Sequence, residues 1–330
     1  MSPHDPLDRT IRYLRISVTD RCNLRCRYCM PEEGVEPLRH DDILRLEEIA
    51  RVARVAAGLG ISRVRLTGGE PLVRKGILDL VRMIAQTEGI EDLSLTTNAT
   101  LLAEMAQPLA EAGLRRVNVS LDTLRPDRFR EITRWGSLGD ALAGIAAAHR
   151  AGLEPVKINT VVMRGFNDDE VVDLAAKTRD EGWHVRFIEV MPLGENAWLN
   201  HERYISSDET RARISAALGP LEQADLDGNG PARYWRLPGA AGTIGLISAL
   251  SQHFCATCNR LRLTSDGRLM PCLFSPLEYD LRTPLRAGAD DAALRALLLE
   301  AIAHKPVGHS LNDPCAQQFG SPREMSRVGG

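Results

Sequence analysis

Three cysteines within eight residues, Cys22-x-x-x-Cys26-x-x-Cys29, offer thiolates at a spacing suited to an iron–sulfur cube. They follow the alternating stretch Ile11-Arg12-Tyr13-Leu14-Arg15-Ile16-Ser17-Val18, so the loop should leave the end of a strand. A cysteine-held [4Fe–4S] cluster normally has four thiolate ligands. A loop that supplies three leaves one iron open to a ligand that is not protein, which points to catalysis. A structural zinc knot is the competing reading. Closed zinc sites favour two separated cysteine pairs, however, and no further cysteine follows Cys29 before Cys255.

A second trio lies late in the chain, Cys255-x-x-Cys258 and then Cys272, with Asn259-Arg260-Leu261-Arg262 between. Taken alone, a Cys pair is more often a zinc or redox site, and His253 is the candidate to close a zinc site. Cys315, the seventh cysteine, stands apart in a Gly-, Ser- and Pro-rich tail and reads as an idle thiol. In Thr67-Gly68-Gly69-Glu70-Pro71 the two glycines leave room for backbone to approach a ligand, and Glu70 can accept from an ammonium group. Cations fall on strand-like segments: Arg15 on the first, Arg63 and Arg65 on one face of the second, Lys157 on the fifth, Arg186 on the sixth. Inside a barrel such positions are normally apolar, so these groups need an anionic partner to offset desolvation. A triphosphate fits, and Arg260 and Arg262 point to the same ligand, since guanidinium groups bind phosphate oxygens bidentately.

The elements that must position these groups follow a strand–loop–helix repeat. Strands are expected at 13–18, 63–66, 93–97, 117–121, 156–162 and 184–190, with helices at 44–59, 77–87, 101–112, 138–151 and 168–181. Such alternation means parallel βαβ units. Polar and glycine-rich residues gather at the C-terminal ends of different strands, which favours a partial (βα)6 barrel of the TIM type over an open doubly wound sheet. After Met191-Pro192 the pattern changes to a helix at 207–218, an acidic glycine-rich turn at 225–230, short strands at 234–237 and 243–247, a hairpin at 260–264 and 268–271, and a helix at 291–304. The expected division is therefore an α/β barrel over residues 1–192 and a C-terminal α+β unit over 193–330. Lys and Arg number 41 against 44 Asp and Glu, a net charge of −3, which argues against bulk attraction to nucleic acid or anionic lipid. There is no leading apolar run and no stretch long enough to span a bilayer, so the expected location is the cytoplasm, without membrane partners.

The first cysteine trio with Tyr28, followed by Gly68-Gly69-Glu70-Pro71, resembles the radical S-adenosylmethionine (SAM) superfamily. In that family the open iron chelates SAM, and an electron from the reduced cube cleaves it to a 5′-deoxyadenosyl radical. With that loop accepted, a second cube with an open iron is the more economical reading of Cys255, Cys258 and Cys272.

Over essentially its whole length the chain further resembles the GTP 3′,8-cyclase family of molybdenum cofactor biosynthesis. The resemblance rests on the stretch from Leu14 to Cys22, Arg65 to Leu72, Thr96-Thr97-Asn98, Ser120-Leu121-Asp122, Lys157-Ile158-Asn159, Arg186 to Pro192, and Cys255 to Thr264 with Gly267, Cys272 and Gly329-Gly330. It implies two [4Fe–4S] clusters: one on Cys22, Cys26 and Cys29 that binds SAM, and one on Cys255, Cys258 and Cys272 that binds the guanine of the substrate. It places Tyr28, Gly69, Ser120 and Met191 at SAM, and Arg15, Arg65, Thr96, Lys157, Arg260, Leu261 and Arg262 at GTP. Arg63 and Arg186 are further phosphate or radical-steering candidates. The implied activity is that of a lyase that makes 3′,8-cyclo-7,8-dihydro-GTP by attack of a ribose C3′ radical on guanine C8. Implied partners are an electron donor, a cyclic pyranopterin monophosphate synthase that takes the product, and a second copy of the chain.

Two positions depart from the family pattern. Ala99 stands where glycine is usual after Asn98, so the turn there should not require φ > 0. The 225–230 loop is also unusual. Two other classes fit less well: a peptide-modifying radical SAM enzyme calls for more cysteines than seven, and a zinc-stabilised RNA-binding protein calls for a basic, aromatic surface.

Overall fold

The computed structural model describes residues 3–191, 202–226, 230–309 and 325–328. Cys315, Pro192 and Gly329-Gly330 lie outside the described residues. Six parallel strands run in sequence order through one sheet: β1 (Tyr13–Ser17), β2 (Arg63–Thr67), β3 (Asp92–Thr97), β4 (Arg116–Ser120), β5 (Lys157–Val162) and β6 (His184–Glu189). The connections carry α1 (Leu46–Gly58), α2 (Ile77–Ala85), α3 (Leu102–Glu111), α4 (Pro126–Thr133), α5 (Leu138–Arg150) and α6 (Val171–Asp180). Each expected strand and helix of this part is present within a few residues. The additional α4 begins with Pro126 at its first position and Asp127 in its first turn, both standard helix-start residues.

Later segments extend the same sheet at both edges. Beyond β6 lie β9 (Thr243–Ile247), β8 (Arg233–Arg236) and β7 (Glu222–Ala224). Beyond β1 lie β10 (Arg260–Leu263), β11 (Arg268–Met270) and β12 (Tyr279–Asp280). β9 is parallel to β6 and β10 is parallel to β1, while the outer strands are antiparallel. The two units expected on either side of residue 192 thus share one twelve-stranded sheet. Among the described residues the remaining α-helices are α7 (Ser207–Leu218), α8 (Arg282–Arg286), α9 (Asp291–Ala303) and α10 (Met325–Val328). None of the described helices is long and apolar enough to cross a membrane.

Strand alternation sorts the two faces. Leu14, Ile16, Val64, Leu66, Leu95, Val117, Ile158, Val185 and Phe187 pack with helical residues such as Val52, Leu80, Leu109, Ala148 and Leu174 in one core. Burying each of the Val, Leu, Ile and Phe side chains contributes about 1.5–3 kcal/mol, and this layer supports the unusual opposite face. That face carries Arg15, Arg65, Ser94, Asn118, Lys157, Arg186 and Arg262, all buried. Residues of β1, β2, β5, β6, β9 and β10 wall a single cavity although four strands separate β1 from β6. The sheet is therefore curled into a partial barrel whose inner face is polar.

Glu189, at the end of β6, fastens the C-terminal segment. Its carboxylate accepts from Ser207 N at 2.8 Å, Leu250 N at 2.8 Å and Ser251 N at 3.0 Å. Burial raises its pKa, but a hydrogen bond from the Ser251 hydroxyl together with these backbone amides outweighs that and holds it below the usual value. At the other edge, Asn259 O accepts from Tyr13 N at 3.2 Å and brings the second cysteine trio beside β1.

Candidate active site

The first cysteine loop is held on both sides. Gly69 N donates to Thr19 O at 2.9 Å and Glu70 N to Arg21 O at 2.8 Å, tying the end of β2 to the loop's start. A Cβ on Gly69 would stand 2.3 Å from Arg21 O, and one on Gly68, at φ +146°, 2.5 Å from Thr19 O. These glycines admit the cysteine loop's own backbone at close range. On the far side Arg25 N and Arg27 N donate to Thr133 O and Ile132 O at the end of α4, and Arg134 donates to Arg25 O at 2.7 Å. Tyr28 donates its hydroxyl to Asp122 Oδ2 at 2.8 Å.

Cys22, Cys26 and Cys29 converge on one cavity together with Tyr28, Gly68, Gly69, Thr96, Ser120, Asp122, Asn159 and Met191. Burial pushes the Cys22 thiol up to about 11 and Cys26 well above its usual value, the neighbouring cysteines adding to the shift at Cys26. Such thiols ionise readily only beside a cationic centre. Thr96 Oγ1 and Asn159 Oδ1 are buried without a hydrogen-bond partner, as expected of walls that face a polar ligand. Among the described residues no three His, Cys, Asp or Glu side chains are arranged to hold a single metal ion. A cube needs its thiolates at different irons around a shared space, and all three cysteines line this one cavity.

Glu70 takes a different role from the expected one. Its Oε1 accepts from Leu72 N at 3.0 Å and Thr97 Oγ1 at 2.8 Å, and its Oε2 from Asn98 N at 2.8 Å. Burial lifts its pKa to about 7, and the group joins β2 to the end of β3 instead of walling the cavity. The turn after β3 also departs from expectation, because Ala99 adopts φ +63° despite its Cβ. The left-handed conformation costs an alanine about 1–2 kcal/mol. Ala99 N donates to Thr97 Oγ1 at 2.9 Å, and the methyl lies in the core.

Cys255, Cys258 and Cys272 line a second cavity. Arg15, Arg65, Arg186, Arg260 and Arg262 also line it, with Tyr13, Phe254, Phe274 and His309. Burial opposes ionisation of Cys258, but Arg260 and Lys305 overcome it and bring the thiol down to about 6. Burial, followed by the repulsion of Arg262, holds Arg15 well below the usual guanidinium range, and burial brings Arg186 and Arg262 to about 10. Arg186 Nε and the Tyr13 hydroxyl are buried without a hydrogen-bond partner. Crowded cations and unmet donors together fit a polyanion. Asn159, Ile188 and Met191 belong to both cavities, so the two spaces adjoin along β5 and β6.

Some expected site residues lie elsewhere. Arg63 shares the inner face with Arg65 but lines a separate polar pocket with Asp92, Arg116 and Glu154 near the N-terminal ends of the strands. Two residues along a strand are one layer of roughly 6.6 Å, enough to leave the cavity. Lys157 is likewise one layer below Asn159, its ammonium 6.0 Å from the Tyr234 ring. Thr96 walls the first cavity and not the second. Leu261 pairs with Leu14 and is fully buried in the core, so its side chain faces the helical layer. Sequence reasoning did not single out Tyr13 or Asn159 as site residues, although each is two positions from a named cation on the same strand face.

A radical SAM superfamily model matches residues 16–177, and a molybdenum cofactor synthesis C model matches residues 183–311. The curled sheet also resembles that of Streptococcus suis SuiB bound to S-adenosylmethionine, with TM-score 0.61, 14% identity, and coverage of 90% of this chain and 66% of that one. The class is thus that of the radical SAM enzymes, whose cofactors are an iron–sulfur cluster and SAM. Within it, the chain belongs to the GTP 3′,8-cyclase family. It is 55% identical over 327 residues to the GTP 3′,8-cyclase of Pelotomaculum thermopropionicum and 54% identical over 327 residues to that of Moorella thermoacetica, covering 99% of both chains in each case.

Proposed function

We propose that this chain converts GTP to (8S)-3′,8-cyclo-7,8-dihydroguanosine 5′-triphosphate, the first step of molybdenum cofactor biosynthesis, with SAM in the first cavity and GTP in the second. The observation that carries the reading is the shared wall of Asn159, Ile188 and Met191 between two cysteine-lined cavities. Cys22, Cys26 and Cys29 would hold one [4Fe–4S] cluster, and Cys255, Cys258 and Cys272 the other. Bound in the first cavity, SAM would supply, on one-electron reduction, the radical that takes the ribose C3′ hydrogen; C3′ would then bond to guanine C8, and a second electron with a proton at N7 would complete the 7,8-dihydro product.

The residues of this chain bind, orient and shield. Tyr28, Gly69, Ser120 and Met191 enclose SAM, and Thr96 and Asn159 offer it their unmet oxygens. Arg15, Arg65, Arg186, Arg260 and Arg262 take the triphosphate, with Lys157 beneath them, and fix the ribose relative to the shared wall. Ile188 and Met191 keep water from the place where the radical passes. Residues 1–192 hold SAM and supply Arg15, Arg65 and Arg186 to the GTP site, which residues 193–330 complete with the second cluster, Arg260 and Arg262. An external donor supplies both electrons, the enzyme works in the cytoplasm as a homodimer, and its product passes to a cyclic pyranopterin monophosphate synthase.

Anaerobic reconstitution with iron and sulfide counting, followed by incubation with SAM, dithionite and GTP, tests the reading. Two cubes per chain and GTP-dependent formation of the cyclised nucleotide are expected. Fewer than two cubes, or 5′-deoxyadenosine released without loss of GTP, would overturn it.

A further inference from the structure

Two buried cations outside both cavities secure the second cysteine trio. Lys305, just after α9 and 6% exposed, donates from Nζ to Arg260 O at 2.7 Å and to Pro271 O at 2.6 Å. Those carbonyls lie two residues after Cys258 and one before Cys272, so a single ammonium joins the two cysteine-bearing segments. Arg9 secures the third, donating to Cys255 O at 2.8 Å and to Pro306 O at 2.7 Å. The two cations differ in how their charge is met. Arg9 forms an ion pair with buried Asp5 at 2.5 Å. Among the described residues no carboxylate forms an ion pair with Lys305; ionised Cys258 and Cys272 favour its charged form, against burial and the charges of Arg260 and Arg9. A buried ammonium is costly unless an anion faces it, and here the anion is the thiolate pair with whatever it binds.

We propose that Lys305 is a positioning residue of the second iron–sulfur centre: it holds the Cys258 and Cys272 segments together and raises the centre's reduction potential. This rests on the assignment of that centre to Cys255, Cys258 and Cys272. Reduction adds a negative charge to the centre, and a cation fixed on the backbone of the cysteine segments stabilises the reduced form more than the oxidised one.

The test uses the reconstituted full-length enzyme with Lys305→Gln, Lys305→Arg and Lys305→Met. Iron and sulfide are counted, and the two centres are titrated by EPR-monitored redox titration and told apart by adding SAM. Lys305→Gln keeps an N–H donor without the charge. It is expected to retain both cubes while the reduced-to-oxidised ratio of the second centre falls about tenfold at fixed potential, which is about 59 mV for one electron. The first centre is expected to be unchanged, and Lys305→Arg to return the second toward the wild-type value. Wild-type potentials in both the Gln and Met variants, or equal shifts in the Gln and Arg variants, overturn the inference. If Lys305→Met fails to fold, the Gln and Arg pair decides. Cys258→Ala separates the two claims: if it still holds two cubes, the site assignment falls and this inference with it. If it loses one cube while the Lys305 variants titrate like wild type, the inference falls alone.

Discussion

Arg15 of β1 and Arg262 of β10 are direct partners in the parallel pair that joins the N-terminal strand to the second cysteine segment. Both side chains are buried, and Arg65 stands opposite Arg15 on its other side. Burial first, and then the like charge of Arg262, hold the guanidinium of Arg15 well below its usual range. Removing one of them should therefore weaken function more than folding. For Arg262→Ala we expect the stability of the ligand-free protein to stay within about 1 kcal/mol of wild type in low salt, relief of repulsion offsetting the lost packing. GTP affinity should fall by about 1.5–3 kcal/mol, roughly 10- to 150-fold. Thermal melts with and without GTP, together with cluster counts, check both halves. A large loss of stability or of a cube would make Arg262 structural.

Lys157 leads to a prediction about protons. Burial first, then Arg186, Arg116 and Arg65, bring its ammonium down to about 6 from a usual 10.5. The unfolded chain then binds one more proton than the folded chain between about pH 6 and 10.5, so this residue's contribution to stability rises with pH across that window. Its destabilising effect is full below pH 6 and gone above about 10.5. A triphosphate reverses the shift, so GTP binding near pH 8 should take up about one proton. Calorimetry in two buffers of different ionisation enthalpy reads this number. It should fall towards zero in Lys157→Met. Equal proton uptake in both proteins would assign the effect to another group.

The elements and the chemistry of the site were unequally legible in the sequence. Six strands and five helices were readable because each carries its own period and its own stop signal. The attachment of β10 to β1 was not, since that pairing joins residues far apart in the chain, and Arg260-Leu261-Arg262-Leu263 could lie beside any strand of like alternation. Residue type and period two found the thiols and most of the inner-face cations. Depth along a strand is not encoded in that period, and so Arg63 was grouped with Arg65 although one layer separates their surroundings. Most partners of Glu70 and Arg9, and both carbonyls that Lys305 holds, are backbone groups, which every residue has, so little in the sequence marks them. Ala99 shows the converse: its identity argued against φ > 0, and the hydrogen bonds and packing around the turn prevail over that preference.

Gly69 gives a test of how the first cysteine loop is anchored. An alanine Cβ there would lie 2.3 Å from Arg21 O and 2.6 Å from Arg21 C, both backbone atoms that cannot swing aside. Gly69→Ala must push the loop off the end of β2 at a cost of about 1–3 kcal/mol. Reconstituted protein should then hold one cube in place of two, with the EPR signal of the second retained, and SAM cleavage should be lost. An unchanged iron count would mean that the loop tolerates the shift, and that the glycine serves SAM directly.

Gly245 tests whether the position of Arg186, and not merely its presence, matters. It faces Arg186 across the β6–β9 pair and Tyr234 across the β8–β9 pair, and a Cβ on it would stand 2.8 Å from Arg186 Cγ and 2.9 Å from Tyr234 Cε1. Both contacts are with side chains, so Gly245→Ala displaces them without forcing the strands apart. Arg186 now donates to Asn118 Oδ1 at 2.5 Å and walls the second cavity, and a shift of about 1 Å in such a group is worth up to about 100-fold in rate. We expect folding and both clusters to survive and kcat/KM for GTP to fall by at least about tenfold. SAM cleavage uncoupled from GTP should persist, because none of the three residues lines the first cavity. Full GTP turnover in Gly245→Ala would show that Arg186 acts by charge alone and needs no fixed position.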